Sequence, residues 1–311
     1  MNQAYRSGLR KEGYEDVEPD VEGRRRGFPR RHRRPADDAG THTPVREVRI
    51  AEVRRETPSA VTLVLEGTGE NAGSFDFRPG QFFTLVADID GRPVRRAYSA
   101  SSAPGSSRLE VTVKHVEGGR FSTHVHRSLR AGDRLAVRGP SGSFHTEPRP
   151  PDEIVLVAAG SGVTPMMSMI RTRRAERPGR DRIAVLYSSR STDEIIYADE
   201  LTRLAKDHPD RLSVTHVLTR RDGRLDQDHV RRWVTGLSPA RDAHYYICGP
   251  QTLTNAVQEA LTGLGVRQNL VHHERYTSAA HPGTTAQQAD GYVLTCVGCP
   301  QSKVHLDIAD P

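Results

Sequence analysis

The sequence predicts a two-part chain: an antiparallel β-barrel, then an α/β region on a doubly wound parallel sheet. Three observations predict it. Between residues 45 and 139, six short runs rich in β-branched residues are separated by Gly, Asp, Pro and Ser, the pattern of a barrel or sandwich. From 153 to 276, apolar runs alternate with helical stretches, as in a parallel sheet with helical crossovers. After Glu153, EIVLVAAG (153–160) is continuously apolar, as a strand covered on both faces must be.

The barrel strands are VREVRIAEVRRE, SAVTLVLEG, GQFFTLVAD, RPVRRAYSAS, LEVTVKHV and DRLAVRG, with turns at FRPGQ, DIDGRP and RAGD. One helix interrupts them, FSTHVHRSLRAGD, with Ser122 as its expected N-cap and Gly132 as its expected end. After EIVLVAAG, the loop GSGVTP leads into the helix MMSMIRTRRAE. Strands DRIAVLYSS, LSVTHVLT, AHYYICGP and LVHHERY then alternate with helices ADELTRLAKD, DQDHVRRWVTGL and QTLTNAVQEALTGLG. The expected divisions are a leader over 1–43, a barrel domain over 44–150, an α/β domain over 151–276 and a tail over 277–311.

A length of 311 residues suits two domains. The 35% hydrophobic and 27% charged content is polar, but long enough here for two modest cores. Three cysteines exclude a disulfide framework, and alone they cannot make a four-cysteine iron–sulfur or zinc site. No run of about 18 apolar residues is present, and the N-terminus shows no secretory pattern, so the expected location is cytoplasmic. The formal charge of +6 is concentrated in GRRRGFPRRHRRP, with seven arginines. Such a run can attract nucleic acid or anionic lipid. Only Phe28 interleaves with it, which argues against base stacking. A solvated leader is the plainer reading, and a nucleic-acid or membrane tether the alternative.

Three segments carry chemistry. Gly160-Ser161-Gly162-Val163-Thr164-Pro165 follows a strand and opens a helix. Glycines admit a pyrophosphate to the backbone, the helix N-terminus supplies N–H groups, and Pro165 suits a first helical turn. An ordinary structural turn would read the same way. Arg96-Ala97-Tyr98-Ser99 ends a barrel strand and places Arg96 and Tyr98 on one face. It could offer a flavin a cation for its phosphate, a flat ring for stacking and a hydrogen bond near its reactive nitrogen; an exposed barrel-edge tyrosine is the simpler account. Gly118-Gly119-Arg120-Phe121-Ser122-Thr123 opens the barrel helix and suits a second pyrophosphate, or merely a capped helix.

In order, RAYS, GGRFST, GPSGSF, GSGVTP, YICGP and HERY resemble the ferredoxin–NADP reductase superfamily over about residues 45–276. The chain is most similar to the bacterial branch in which a plant-type 2Fe-2S ferredoxin domain follows the reductase. The resemblance implies that Arg96, Tyr98 and Ser99 contact the flavin, and that Gly119, Phe121, Ser122 and Thr123 bind its pyrophosphate. It implies that Gly160, Gly162, Thr164 and Pro165 form the nicotinamide dinucleotide loop. Cys248, Gly249 and Pro250 match the segment facing the nicotinamide, and Glu274 matches an acid beside the flavin. A core cysteine and a surface acid are the plainer alternatives for Cys248 and Glu274. Ser189 and Arg190 lie where the adenosine ribose is read, and Arg190 could pair with a 2′-phosphate, a slight preference for NADPH over NADH. The implied cofactor is FAD. The implied activity is electron transfer from NAD(P)H through FAD to a one-electron acceptor such as a separate ferredoxin or an oxygenase or desaturase system. The other readings are a degenerate nucleotide-binding protein without electron export, and a reductase whose intact gene encodes a full 2Fe-2S domain.

In the tail, GYVLTCVGCP resembles the end of a plant-type ferredoxin domain, with Cys296 in the place of its fourth cluster ligand. The three preceding ligands, spaced C-x4-C-x2-C, are missing: only 14 residues separate Tyr276 from Gly291, none a cysteine. Cys296 and Cys299 form half of a zinc-like pair without a second half. The expectation is an orphan ligand and no intrinsic cluster.

Overall fold

The computed structural model describes residues 45–147, 151–176 and 181–275. The Arg-rich leader and the tail with Cys296 and Cys299 lie outside the described residues.

The first part is a six-stranded antiparallel sheet: β1 (Arg46–Thr57), β2 (Ala60–Gly67), β3 (Phe82–Ile89), β4 (Arg92–Ser99), β5 (Arg108–Lys114) and β6 (Arg134–Ser141), with helix α1 (Arg120–Arg127). Strand order is β4-β3-β6-β1-β2-β5. A bridge between Ala100 and Val111 brings the outer strands together, so the sheet curls into a barrel that removes a free edge. Strand alternation sends Phe83, Leu85, Ala87 and Ile89 of β3 inward. They meet Val48, Ile50, Leu63, Leu65, Val111, Val137 and the α1 residues Phe121 and Val125 in one buried cluster. Burying each large aliphatic side chain contributes roughly 1.5–3 kcal/mol.

The second part is a parallel sheet of β7 (Glu153–Ala159), β8 (Arg182–Ser189), β9 (Leu212–Leu218), β10 (His244–Gly249) and β11 (Val271–Arg275). Its helices are α2 (Val163–Glu176), α3 (Ala198–Asp207), α4 (Thr219–Asp222), α5 (Gln227–Leu237) and α6 (Gln251–Gly263). Strand order is β11-β10-β7-β8-β9. Strand β7 shows why EIVLVAAG is apolar after Glu153. Ile154, Leu156 and Ala158 pack with Met166, Ile170, Leu201 and Leu204 of α2 and α3. Val155 and Val157 pack with Val230, Val234, Leu253 and Val257 of α5 and α6 on the other face. Barrel residues Ala60 and Phe144 join the α2/α3 cluster, so the barrel meets that face.

The strands agree with the sequence reading; the barrel helix differs. Its N-cap is Gly119, no side chain caps it, and it ends at Arg127 with Ser128 as C-cap. Ser122 is therefore not the N-cap. It lies inside the first turn, and its hydroxyl reaches back to accept the Val116 N–H at 3.1 Å. Gly132 has φ +101 and belongs to the following turn rather than to the helix end. No helix among the described residues is long and apolar enough to cross a membrane.

Candidate functional site

The chain leaves β7 to build β8 and β9 on one side, then returns to place β10 on the other. In open α/β sheets, ligands bind at such a switch point, beyond the carboxyl ends of the strands. Two of the segments singled out from sequence meet there. Gly160 (φ +55) starts a 3-10 turn, Gly160–Gly162, and α2 begins at Val163, so Thr164 and Pro165 occupy its first turn. The Thr164 hydroxyl donates to the Ser161 carbonyl at 3.0 Å. That first turn holds no acidic residue, which leaves its positive dipole end available to an anion.

Gly162 is pressed against the Cys248–Gly249 peptide. A Cβ placed on it would meet the Cys248 carbonyl oxygen at 2.1 Å and the Gly249 nitrogen at 3.2 Å. Gly249 in turn has room for little: a Cβ there would meet the Ala159 Cβ at 3.2 Å. Pro250 then leads into α6. Cys248 is fully buried, and its register partner on β11 is Glu274, only 1% exposed. The surface-acid alternative for Glu274 therefore fails, whereas a core cysteine at 248 is compatible with the packing.

Ser189 ends β8, buried, and Arg190 follows it exposed. The Arg190 carbonyl accepts the Arg220 N–H at 3.1 Å. Tyr187, two residues earlier, has a role the sequence did not reveal. Its hydroxyl donates to the Gly160 carbonyl at 3.1 Å and accepts the Ile196 N–H at 3.2 Å, pinning the glycine turn from below. Burial pushes this phenol well above the usual tyrosine range, so it remains a neutral donor.

On the barrel, Arg96 and Tyr98 share a face of β4, opposite Leu85 and Phe83 of β3. The Tyr98 ring lies 5.7 Å from the Phe121 ring, tilted by 36°. Burial raises the Tyr98 hydroxyl far above its ordinary range, while nearby Arg96 pulls it back. Burial also lowers Arg96, against the pull of Tyr98 and with the repulsion of Arg120. Ser99 is 2% exposed. Gly119 could carry no side chain without striking the Ser122 Oγ at 2.7 Å. Ser122 thus shapes the turn through Val116, and the Thr123 hydroxyl lies 3.3 Å from His115 Nε2.

The two groups are drawn together just beyond Ser99. The Ser168 hydroxyl of α2 donates to the Ser102 carbonyl at 2.7 Å. A Cβ on Gly80 would strike the Phe144 carbonyl oxygen at 2.4 Å and the Met169 Cε at 2.7 Å. The residues fit a dinucleotide: two glycine turns open helices whose first turns hold no acidic residue, and Gly119 and Gly162 are packed where the fold admits no Cβ. The tyrosine and arginine of β4 fit a flat ring with a phosphate.

Residues 48–146 match the family of the oxidoreductase FAD-binding domain, and residues 156–259 that of the oxidoreductase NAD-binding domain. The chain is 38% identical over 243 residues to ferredoxin–NADP reductase B of Sorangium cellulosum, covering 74% of this chain and 97% of that one. It belongs to the ferredoxin–NADP reductase superfamily. This reductase is also 36% identical over 244 residues to the ferredoxin reductase component of 3-ketosteroid-9-alpha-monooxygenase from Mycolicibacterium smegmatis, covering 77% of this chain and 67% of the relative. Phthalate dioxygenase reductase, described as a modular structure for electron transfer from pyridine nucleotides to [2Fe-2S], superposes with a TM-score of 0.64 at 25% identity. The match covers 77% of this chain and 70% of that one. The reductase is a flavin-dependent oxidoreductase that binds FAD and NAD(P)H and passes electrons from the nucleotide through the flavin to an acceptor.

Proposed function

We propose that the reductase divides this work as follows. Arg96, Tyr98 and Ser99 hold the flavin, with Gly119, Phe121, Ser122 and Thr123 at its pyrophosphate. Gly160, Gly162, Thr164 and Pro165 hold the NAD(P)H pyrophosphate. Cys248, Gly249 and Pro250 border the nicotinamide, and Glu274 lies beside the flavin. Ser189 and Arg190 read the adenosine ribose, where Arg190 can pair with a 2′-phosphate. The barrel part runs over 44–150 and the nucleotide part over 151–276. Held by these residues, FAD and NAD(P)H would supply hydride-transfer and one-electron redox chemistry. The chain's task is to align two rings and exclude water.

The observation that supports this most is the contact of Gly162 with the Cys248–Gly249 peptide at the sheet's switch point. It brings the dinucleotide loop directly against the proposed nicotinamide-facing segment. The acceptor is a separate one-electron carrier, a ferredoxin or the oxygenase it serves. Relatives named as reductase components of monooxygenases support that choice. The work belongs in the cytoplasm, with the NAD(P)H pool.

Purified protein should be yellow, bleach on addition of NADPH or NADH, and then reduce added 2Fe-2S ferredoxin. Absence of bound flavin, or flavin that neither nucleotide bleaches, would overturn the reading. Bleaching without electron delivery to ferredoxin or to a partner oxygenase would overturn the acceptor assignment alone.

A further inference from the structure

We propose that Arg171 is a positioning residue: by tying the dinucleotide-loop helix to the chain just past Ser99, it sets the spacing between nicotinamide and flavin. The inference rests on the cofactor placement proposed above.

Arg171 lies on α2, six residues beyond Pro165, or about 9 Å along a rigid helix. Glu200 of α3 grips its guanidinium from one side, taking Nε at 2.9 Å and Nη2 at 2.6 Å. That bidentate hold fixes the plane of the group and turns Nη1 toward the barrel. There Nη1 donates to the Ser101 carbonyl at 2.9 Å and to Glu110 Oε2 at 2.7 Å. Ser101 stands two residues past Ser99, and Glu110 lies on β5.

The receiving end is itself stiff. The Ser101 N–H donates to the Glu110 carbonyl at 2.8 Å, and the Glu110 N–H donates to the Ser102 Oγ at 3.1 Å. Arg54 of β1 holds the same Glu110 oxygen at 3.0 Å. Below the guanidinium, 5.4 Å away, lies the ring of Tyr197, whose hydroxyl bonds to Thr112 of β5. Tyr197 adopts φ +61 to get there, an uncommon conformation for a non-glycine residue.

The Arg171 side chain is 17% exposed. Ion pairs taken this far from water add little net stability, because desolvation offsets the attraction. What such a pair can supply is one fixed geometry. An arginine that joins both parts, from the helix of the dinucleotide loop to a carbonyl two residues past Ser99, is placed to supply it where ring distance governs the rate.

The test is Arg171→Gln in the full chain loaded with FAD. Flavin bleaching at saturating NAD(P)H, followed by stopped flow, should slow about 10- to 100-fold, with FAD content and nucleotide affinity within about threefold of the unmodified protein. Independently of turnover, amide hydrogen exchange should quicken at residues 100–103 and 160–165 while residues 60–66 stay protected. Arg171→Lys should recover part of both effects. Should Arg171→Gln fail to fold, Glu110→Gln removes the barrel-side carboxylate, keeps the Glu200 grip, and should reproduce the same pair of effects. Unchanged bleaching in whichever variant folds would overturn the proposal, as would a loss matched by FAD release or lowered melting temperature. Failure of the unmodified protein to bleach would instead overturn the functional reading beneath it.

Discussion

A side chain on Gly162 would overlap the backbone of Cys248: its Cβ would fall 2.1 Å from the carbonyl oxygen and 2.6 Å from the carbonyl carbon. The obstacle is backbone on a buried central strand, so it cannot swing aside. Gly162→Ala should therefore lower the melting temperature and weaken NAD(P)H binding by about 5-fold or more, since overpacking costs about 1–3 kcal/mol. Flavin content should hold, because the barrel is untouched. Nucleotide titration beside flavin absorbance checks this; full NAD(P)H affinity would refute the account of the loop.

Tyr98 is half-buried against Phe121. Tyr98→Ala should reduce flavin retention, by about 3- to 10-fold in affinity if the ring supplies about 0.5–1.5 kcal/mol of stacking. The flavin-to-protein ratio after gel filtration is the measurement. Unchanged occupancy would remove the stacking role.

Arg190 is exposed at the end of β8. If it pairs with a 2′-phosphate, Arg190→Ala should cut the NADPH-to-NADH ratio of kcat/KM by about 10-fold or more, as a charge-assisted hydrogen bond is worth about 1.5–3 kcal/mol. An unchanged ratio means that the phosphate is not read there.

His272 stacks on Tyr246, at 4.6 Å and 16°, and its Nε2 lies 3.0 Å from Nδ1 of His244, whose ring is 5.1 Å away. Burial, then the neighbouring His244, depress its pKa to about 4. The unfolded chain, with an ordinary histidine near 6.5, then binds the extra proton first as pH falls. Stability should be full above about pH 6.5, decline between there and about pH 4, and level off below. Solvent screening of this half-buried pair keeps the loss to about 1–2 kcal/mol. His272→Phe should flatten that part of a melting-temperature profile; an unaltered slope would assign it to other groups.

Three arginines of α2 show where sequence reading stops. Arg171, Arg173 and Arg174 stand within four residues in the same helix. Arg171 reaches across to Ser101 and Glu110 of the barrel. Arg173 and Arg174 turn the other way, to the fully buried Asp181 at 3.5 and 2.8 Å. Nothing in RTRRAE distinguishes them, because each partner depends on which helix face meets which part. Tyr187 and Tyr197 were invisible for the same reason: as β8 and loop residues they read as core, and only their hydroxyl partners give them tasks. The strands, by contrast, were legible, since alternation and continuous apolar runs report local burial directly.

The sequence alone therefore determined the two-part architecture, the order of its segments and the glycine turns, because periodicity and φ-permissive residues act locally. Only the tertiary structure decided that Gly162 must be bare, that Glu274 is buried opposite Cys248, and that Arg171 spans the two parts. Each depends on a close approach between residues remote in sequence, which local pattern does not encode.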